Sequence, residues 1–392
     1  MTAATVSRWA RRYVLISVLF LVTWQIAVVS GIPRHTEVVL GVFGFILHMI
    51  FGKAYSLVPT YFDRTLAFPR APAVQFPFVV VGTGGLVGAS LRIGPPWLGA
   101  VGALLWSLGV GVFLVALLWT VRSNLTGRQT ATGETNVERR PVDRLANGFV
   151  PIAFLYLTAG TYETLAIHTG LPPLFDGYSP RVTHLLAAGT AGVMLFALGF
   201  RLLPRFLVAA PPRPLVAVVL VTGALGPVVL ATHMGSGSWF QLGALVEAMA
   251  VTGFAIGVGT LFVRSNRRRV GFYGVLAGAI SGVIGVGIGL SFAFGHQSPA
   301  LVIAHLRLNL LGFLGFSIIG ITYQFYPPAV GSLPGASDRT AFVSLASLTS
   351  GLFIQVIGLS THHSLVTMIG QVATLGGTLL YAFLIGAVFT TR

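Results

Sequence analysis

The sequence predicts an all-α integral membrane protein of about twelve transmembrane helices, built as three four-helix units related by pseudo-threefold symmetry. Composition is the first reason: the 392 residues are 55% hydrophobic and 8% charged, with mean hydropathy +0.86, where soluble domains carry about 25% charged residues. Apolar runs separated by charged or Pro/Gly-rich breaks are the second. The third is one order of landmarks repeated along the chain.

The runs read in order as follows, each good to a few residues. Span 1, 13 to 32, follows Arg8, Arg11 and Arg12; it is longer than a signal-peptide core and lacks an A-x-A site. Spans 2 to 4 cover 38 to 62, 73 to 93 and 97 to 121. The stretch 123 to 144 is polar and aperiodic and reads as a cytoplasmic linker. Spans 5 to 8 cover 146 to 169, 181 to 203, 214 to 234 and 239 to 263, and spans 9 to 12 cover 271 to 295, 299 to 326, 339 to 361 and 364 to 389. Residues 1–392 thus form a single membrane domain with repeat units at about 1–124, 145–266 and 269–392.

Twenty-four Lys+Arg oppose nine Asp+Glu. In a soluble chain a charge of +15 would suggest nucleic acid, but basic residues gather in the cytoplasmic loops of membrane proteins. With the N-terminus inside, nineteen arginines fall in inner segments, and only Arg34, Arg92, Arg181 and Arg307 fall in the outer half. Both termini are therefore expected in the cytoplasm, in a plasma membrane, with the lipid bilayer as partner and no nucleic acid. The chain has no cysteine, which excludes disulfides, thiolate metal sites and thiol nucleophiles.

The repeat is visible in spacing. Trp97 precedes Arg122 of VRSN by 25 residues, and Trp239 precedes Arg264 of a second VRSN by 25. Arg92 lies 30 residues before Arg122, His233 lies 31 before Arg264, and His362 lies 30 before Arg392. Spans 2, 6 and 10 match too: Glu37, His184 and His305 near the outer ends are followed by Pro59, Pro204 and Pro327 after 22, 20 and 22 residues.

An ionisable group within a span costs about 2.5–3.5 kcal/mol on insertion scales, so each is a functional candidate. The outer half holds Glu37, Glu163, Glu247 and Arg307, and the inner half of span 2 holds Lys53. Eight of nine histidines, His35, His168, His184, His233, His296, His305, His362 and His363, map to the outer side, and His48 alone lies mid-membrane. Imidazole is the commonest biological metal ligand. Each also has a plainer reading. A histidine at a helix mouth can be a simple interfacial group, His48 a core residue satisfied by its own helix, and Lys53 a side chain snorkelling to the inner surface. Glu247 is expected to pair with Arg307 or a histidine, or to be protonated. The adjacent His362 and His363 can share one ion only if the helix ends there. GTGG (Gly82 to Gly85) and GVGIG (Gly285 to Gly289) sit in apolar runs and read as helix-packing glycines.

These residues carry a resemblance. Three four-helix arcs with polar second, sixth and tenth helices resemble subunit I of the haem-copper oxidase and nitric-oxide reductase superfamily. AHLRLNLLGFLGFSIIGITYQFYPP (Ala304 to Pro328) resembles that family's tenth helix, and HMIFG with LVP (His48 to Pro59) resembles its second helix and the matching stretch of NnrS-type haem-copper membrane proteins. The resemblance implies a haem or a transition metal such as copper in the outer half, and a role in respiratory, nitric-oxide or copper metabolism. Cofactor binding would fall to His184, His305, His35, His48 and Arg307, and metal ligation to His184, His233, His305, His362 and His363. Glu163, Glu247 and Arg307 would tune charge or pair with haem propionates, and a separate protein would donate electrons.

The chain departs from that pattern where His305 and Arg307 stand in place of an H-x-H pair and where span 7 opens without a His-His pair. The ligand set is incomplete for a two-haem, copper-containing O₂ or NO reductase. Two rivals stand beside the cofactor reading. One is a proton- or ion-coupled transporter or channel using Glu163, Glu247 and the outer histidines; the other is a cofactor-free relic of the fold.

Overall fold

A computed structural model describes residues 2–235 and 237–390; Arg392, used above as the end of the third repeat, lies outside them. Among the described residues every regular element is helical, and twelve helices are long and apolar enough to cross a membrane. They are span 1, Ala4–Val29; span 2, Arg34–Tyr61; span 3, Ala71–Ser90; span 4, Leu98–Asn124; span 5, Glu134–Thr169; span 6, Ser179–Leu207; span 7, Arg213–His233; span 8, Ser238–Arg264; span 9, Val270–Ala293; span 10, Pro299–Val330; span 11, Asp338–Ser360; and span 12, Ser364–Thr390. The ends agree with the expected ones to within a few residues, with two corrections.

The first helix begins at Thr2, well before the apolar run. Arg8, Arg11 and Arg12 are good helix formers and extend it outside the apolar layer, and the Arg12 guanidinium lies 4.3 Å over the Trp9 ring. The linker is shorter than expected and ordered. Short 3₁₀ turns cover Arg122–Asn124 and Glu134–Arg139, and an α-helix starts at Arg140. Pro141 and Asp143 in its first turn explain the start: proline needs no donor there, and a carboxylate suits the helix N-terminus.

Spans 2, 6 and 10 form the centre. Their most apolar windows are 83%, 89% and 67% buried, against 28–56% for the other nine. Each contains a nine-residue π-helical segment: Val39–Leu47, His184–Gly192 and Leu308–Phe316. π-helix mostly occurs as single-turn bulges, often at functional sites, so three long segments at one level set these helices apart. The three segments touch one another, and each packs on the preceding span: 2 on 1, 6 on 5, and 10 on 9. Each carries a G-x-x-G pair, Gly41/Gly44, Gly189/Gly192 and Gly312/Gly315, and the preceding span presses Phe20, Tyr156 or Ser281 against one of the two.

The remaining spans wrap this centre. Spans 3 and 4, 7 and 8, and 11 and 12 are tightly packed antiparallel pairs, while spans 4 and 5, 8 and 9, and 12 and 1 join neighbouring pairs. Small residues make the close approaches, as membrane helix packing requires; within GTGG, a Cβ on Gly82 would lie 2.5 Å from the Trp106 backbone of span 4.

Candidate functional site

The structure brings His184 and His305 together across spans 6 and 10. Their ring centroids are 6.4 Å apart and their planes 20° from parallel. His184 opens the π segment of span 6, and His305 lies one turn before that of span 10. In each ring Nδ1 faces a backbone carbonyl at 2.8 Å, that of Pro180 for His184 and that of Gly285 for His305. A carbonyl oxygen only accepts, so Nδ1 of His184 donates to it. At His305 the Asn309 amide nitrogen also lies 3.2 Å from Nδ1, but it donates to the His305 carbonyl at the shorter 2.7 Å, and the 2.8 Å contact with Gly285 assigns the Nδ1 proton there too, leaving a lone pair on each Nε2.

Span 9 builds the wall behind His305. A Cβ on Gly289 would lie 2.7 Å from the His305 Cε1, so glycine alone admits the ring at this distance. Phe292 meets the ring edge-on at 5.5 Å, and Asn309 Nδ2 donates to the His305 carbonyl at 2.7 Å. GVGIG is therefore a packing element, as its sequence suggests, and what it packs against is this imidazole. Two rings bound to a shared ion at 2.0–2.1 Å have centres roughly 6 Å apart when the ion lies between them; the observed separation is of that size.

The other histidines do not join this pair. Among the described residues, no group of three or more His, Asp or Glu side chains could hold an ion. His35, His233, His296, His362 and His363 are exposed. His233 stacks on Trp239 at 5.6 Å, and His362 and His363 lie in the turn after span 11, where the helix does end. His35 interacts electrostatically with His168, which packs against Gly99 of span 4.

His48 is fully buried and faces spans 1 and 4, away from spans 6 and 10. Its Nδ1 donates to the Phe43 carbonyl at 2.7 Å, while Tyr13, Phe20, Phe51 and Trp106 enclose the ring.

Arg307 is paired with Glu37, not with Glu247. Its Nε and Nη2 donate to the two Glu37 carboxylate oxygens at 3.2 and 3.0 Å, and its Nη1 donates to Gln355 at 3.1 Å. Both partners of the ion pair are buried. Glu163 is fully buried and accepts from the Leu174 amide at 2.8 Å, which ties down the loop before span 6. Lys53 reaches toward the C-terminal end of span 10, where its ammonium donates to the Tyr326 hydroxyl at 2.9 Å and lies 4.2 and 4.0 Å from the Phe325 and Tyr326 ring centres. Beside it spans 2, 6 and 10 line a half-open, mostly apolar pocket of about 80 Å³, with Met49, Met194, Leu198, Leu314 and Ile318 among its walls.

One cluster is absent from the expectations. At the arginine-rich end Arg201, 2% exposed, faces Asp143, 1% exposed, at 3.4 Å. Arg205 reaches the same carboxylate at 2.6 Å. Arg201 also donates to the Tyr61 carbonyl at 2.9 Å, to Asn147 and to Thr130 at 2.9 Å, and lies 3.9 Å over the Tyr61 ring. Thr132 donates to Asp143 as well, so the linker is fastened to spans 2, 5 and 6. In sequence Asp143 falls at the end of the expected linker and Arg201 in the last turn of the expected span 6, and that placement, with Arg201 one turn before Pro204, was the available signal.

No family model matches the chain, and no curated protein matches it.

Proposed function

We propose that this polytopic membrane protein has a haem-copper oxidase-like architecture of three four-helix units, and that it holds one transition-metal ion between His184 and His305. The observation that carries the reading is the His184–His305 pair itself: parallel rings, a 6.4 Å separation, and both Nδ1 protons held by carbonyls so that both Nε2 lone pairs are available. Metal-binding histidines characteristically have the other ring nitrogen fixed in this way. The three-unit arrangement is supported by the recurring close pairs, the shared π segments of spans 2, 6 and 10, and their mutual contact.

Imidazole ligands suit copper, zinc, iron and nickel, and copper or iron would supply one-electron chemistry when bound. His184 and His305 hold the ion, Gly285 and Pro180 fix the tautomers, and Phe292 shields one side from water. The pair suits an ion better than a haem, because Arg307, the expected propionate partner, is committed to Glu37 and Gln355. A role in respiratory, nitric-oxide or copper metabolism, an electron-donor protein, and a plasma-membrane location with cytoplasmic termini belong to this reading. Absorption spectra of the purified protein, oxidised and dithionite-reduced, test it: metal without a Soret band is the expected result, a Soret band would assign haem, and a colourless, metal-free protein from metal-replete cells would defeat both.

A second reading, an ion-coupled transporter, is favoured by one observation, the half-open pocket between spans 2, 6 and 10 with Lys53 as its one charged lining residue. Ion flux into proteoliposomes that is lost in Lys53→Met would support it; flux equal to that of empty liposomes would remove it.

A further inference from the structure

A carboxyl outside the histidine site stands in an unusual setting. Glu247 of span 8 is 9% exposed, and its Oε2 is buried with no hydrogen-bond partner. It lies on the backbone of span 7 at Gly226, where a Cβ would come within 2.4 Å of that oxygen. The next residue is Pro227, which has no N–H and leaves the Gly223 carbonyl without its helical donor. One residue further, a side chain joins the helix's own hydrogen bonding. The Val228 amide donates to the Tyr156 hydroxyl at 3.1 Å, and that hydroxyl donates to the Ala224 carbonyl. Tyr156, from span 5, thus sits where Pro227 removes one backbone hydrogen bond from the otherwise continuous helix of span 7, and it interacts electrostatically with Glu247.

Among the described residues, no cation is placed to neutralise a carboxylate here. Spans 6, 7 and 9 pack against span 8. Span 7 has only Arg213 and the exposed His233, at its two ends. The titratable group of span 9 is Tyr273, beside Phe262 at the arginine-rich end. In span 6, Arg201 and Arg205 serve Asp143, Arg181 serves Asp176, and His184 faces His305. An isolated carboxylate in an apolar interior takes up a proton, and ionisable groups placed in this way within membrane proteins serve proton movement.

We propose that Glu247 is a proton-binding site within the membrane layer, a carboxyl that loads and releases a proton beside Tyr156 and the Pro227 position of span 7. The ligand is the proton; the few free oxygens beside Pro227 give a sodium ion little to coordinate. The site is independent of metal binding at His184 and His305.

Dicyclohexylcarbodiimide tests this directly in the intact protein, because it enters apolar regions and adds to a neutral carboxyl. The carboxyl O–H adds across one C=N bond of the carbodiimide to give an O-acylisourea, whose acyl group shifts from oxygen to nitrogen to give a stable N-acylurea with no group lost, and peptide mass spectrometry locates it. Glu247 is expected to be labelled and Glu37, ion-paired with Arg307, to be spared. Above the midpoint the rate should fall about tenfold per pH unit, as the neutral fraction does, and sodium should have no effect. Tyr156→Phe should move the midpoint, and Glu247→Gln should abolish the label. Labelling of Glu247 no stronger than that of Glu37, labelling independent of pH while the protein stays folded, or protection by sodium would each overturn the proposal; the first comparison is internal to the wild-type protein and needs no variant to fold.

Discussion

Arg307 grips Glu37 with two nitrogens, at 3.0 and 3.2 Å, and this bidentate pair joins spans 10 and 2 at the histidine end of the bundle. The third arm of the arginine reaches Gln355 of span 11, which in turn donates to Thr374 of span 12 at 2.6 Å. The pair is buried on both sides, so breaking it and replacing it have different consequences. Glu37→Gln leaves an uncompensated buried guanidinium and should cost about 3–5 kcal/mol. Replacing both residues together with leucine should recover most of that loss. Retention of monodisperse protein after a heating series measures both variants; equal damage in the single and double variants would contradict the assignment.

At the opposite end, Asp143 is shared by Arg201 and Arg205 and fastens the linker through Thr132. Asp143→Asn should release the segment between spans 4 and 5. Trypsin should then cut at Arg128 or Arg139 much faster than in the wild type, with a stability loss of about 3–5 kcal/mol for the unpaired buried charge. An unchanged digestion pattern would mean that the linker is held by other contacts.

His48 separates position in sequence from membership in a site. Its ring faces Tyr13, Phe20, Phe51 and Trp106, not His305. His48→Phe should leave metal content unchanged and cost less than about 1.5 kcal/mol, as near-volume-conserving core changes do. Loss of metal in this variant with the fold intact would put His48 in the site.

Tyr156 holds span 7 where Pro227 removes one backbone hydrogen bond. Tyr156→Phe removes one hydroxyl and leaves the Val228 amide and the Ala224 carbonyl without it, at a cost of about 1–3 kcal/mol for buried groups left unpaired. Faster hydrogen exchange confined to the middle of span 7 is the signature; protection unchanged there would show that the helix closes without the tyrosine.

Much of this was legible in the chain. Apolar runs mark the twelve spans because each helix must satisfy its own backbone in lipid, and the equivalence of Glu37, His184 and His305 marks spans 2, 6 and 10 before any coordinates. The resemblance implies one outer ligand set centred on His184 and His305, and their rings lie 6.4 Å apart. What stayed hidden depends on tertiary packing. The π segments arise where three glycine-containing helices meet, and no local signal separates them from α-helix. Glu247 and Arg307 share a depth in the sequence reading, yet the two sit on spans 8 and 10 and Arg307 turns to Glu37. Asp143 and Arg201 lie 58 positions apart with ordinary loop charges around them, so only the fold makes them partners.

Metal content tests the central claim most directly. Protein purified in detergent should carry one transition-metal ion per chain. His184→Ala and His305→Ala should each weaken binding by more than the roughly 10–100-fold that follows when only a supporting hydrogen bond of a ligand is lost, while His233→Ala and His362→Ala leave it unchanged. Metal retained in folded His184→Ala and His305→Ala protein, or a wild-type protein that stays metal-free when loaded with copper, zinc or iron, would contradict the account.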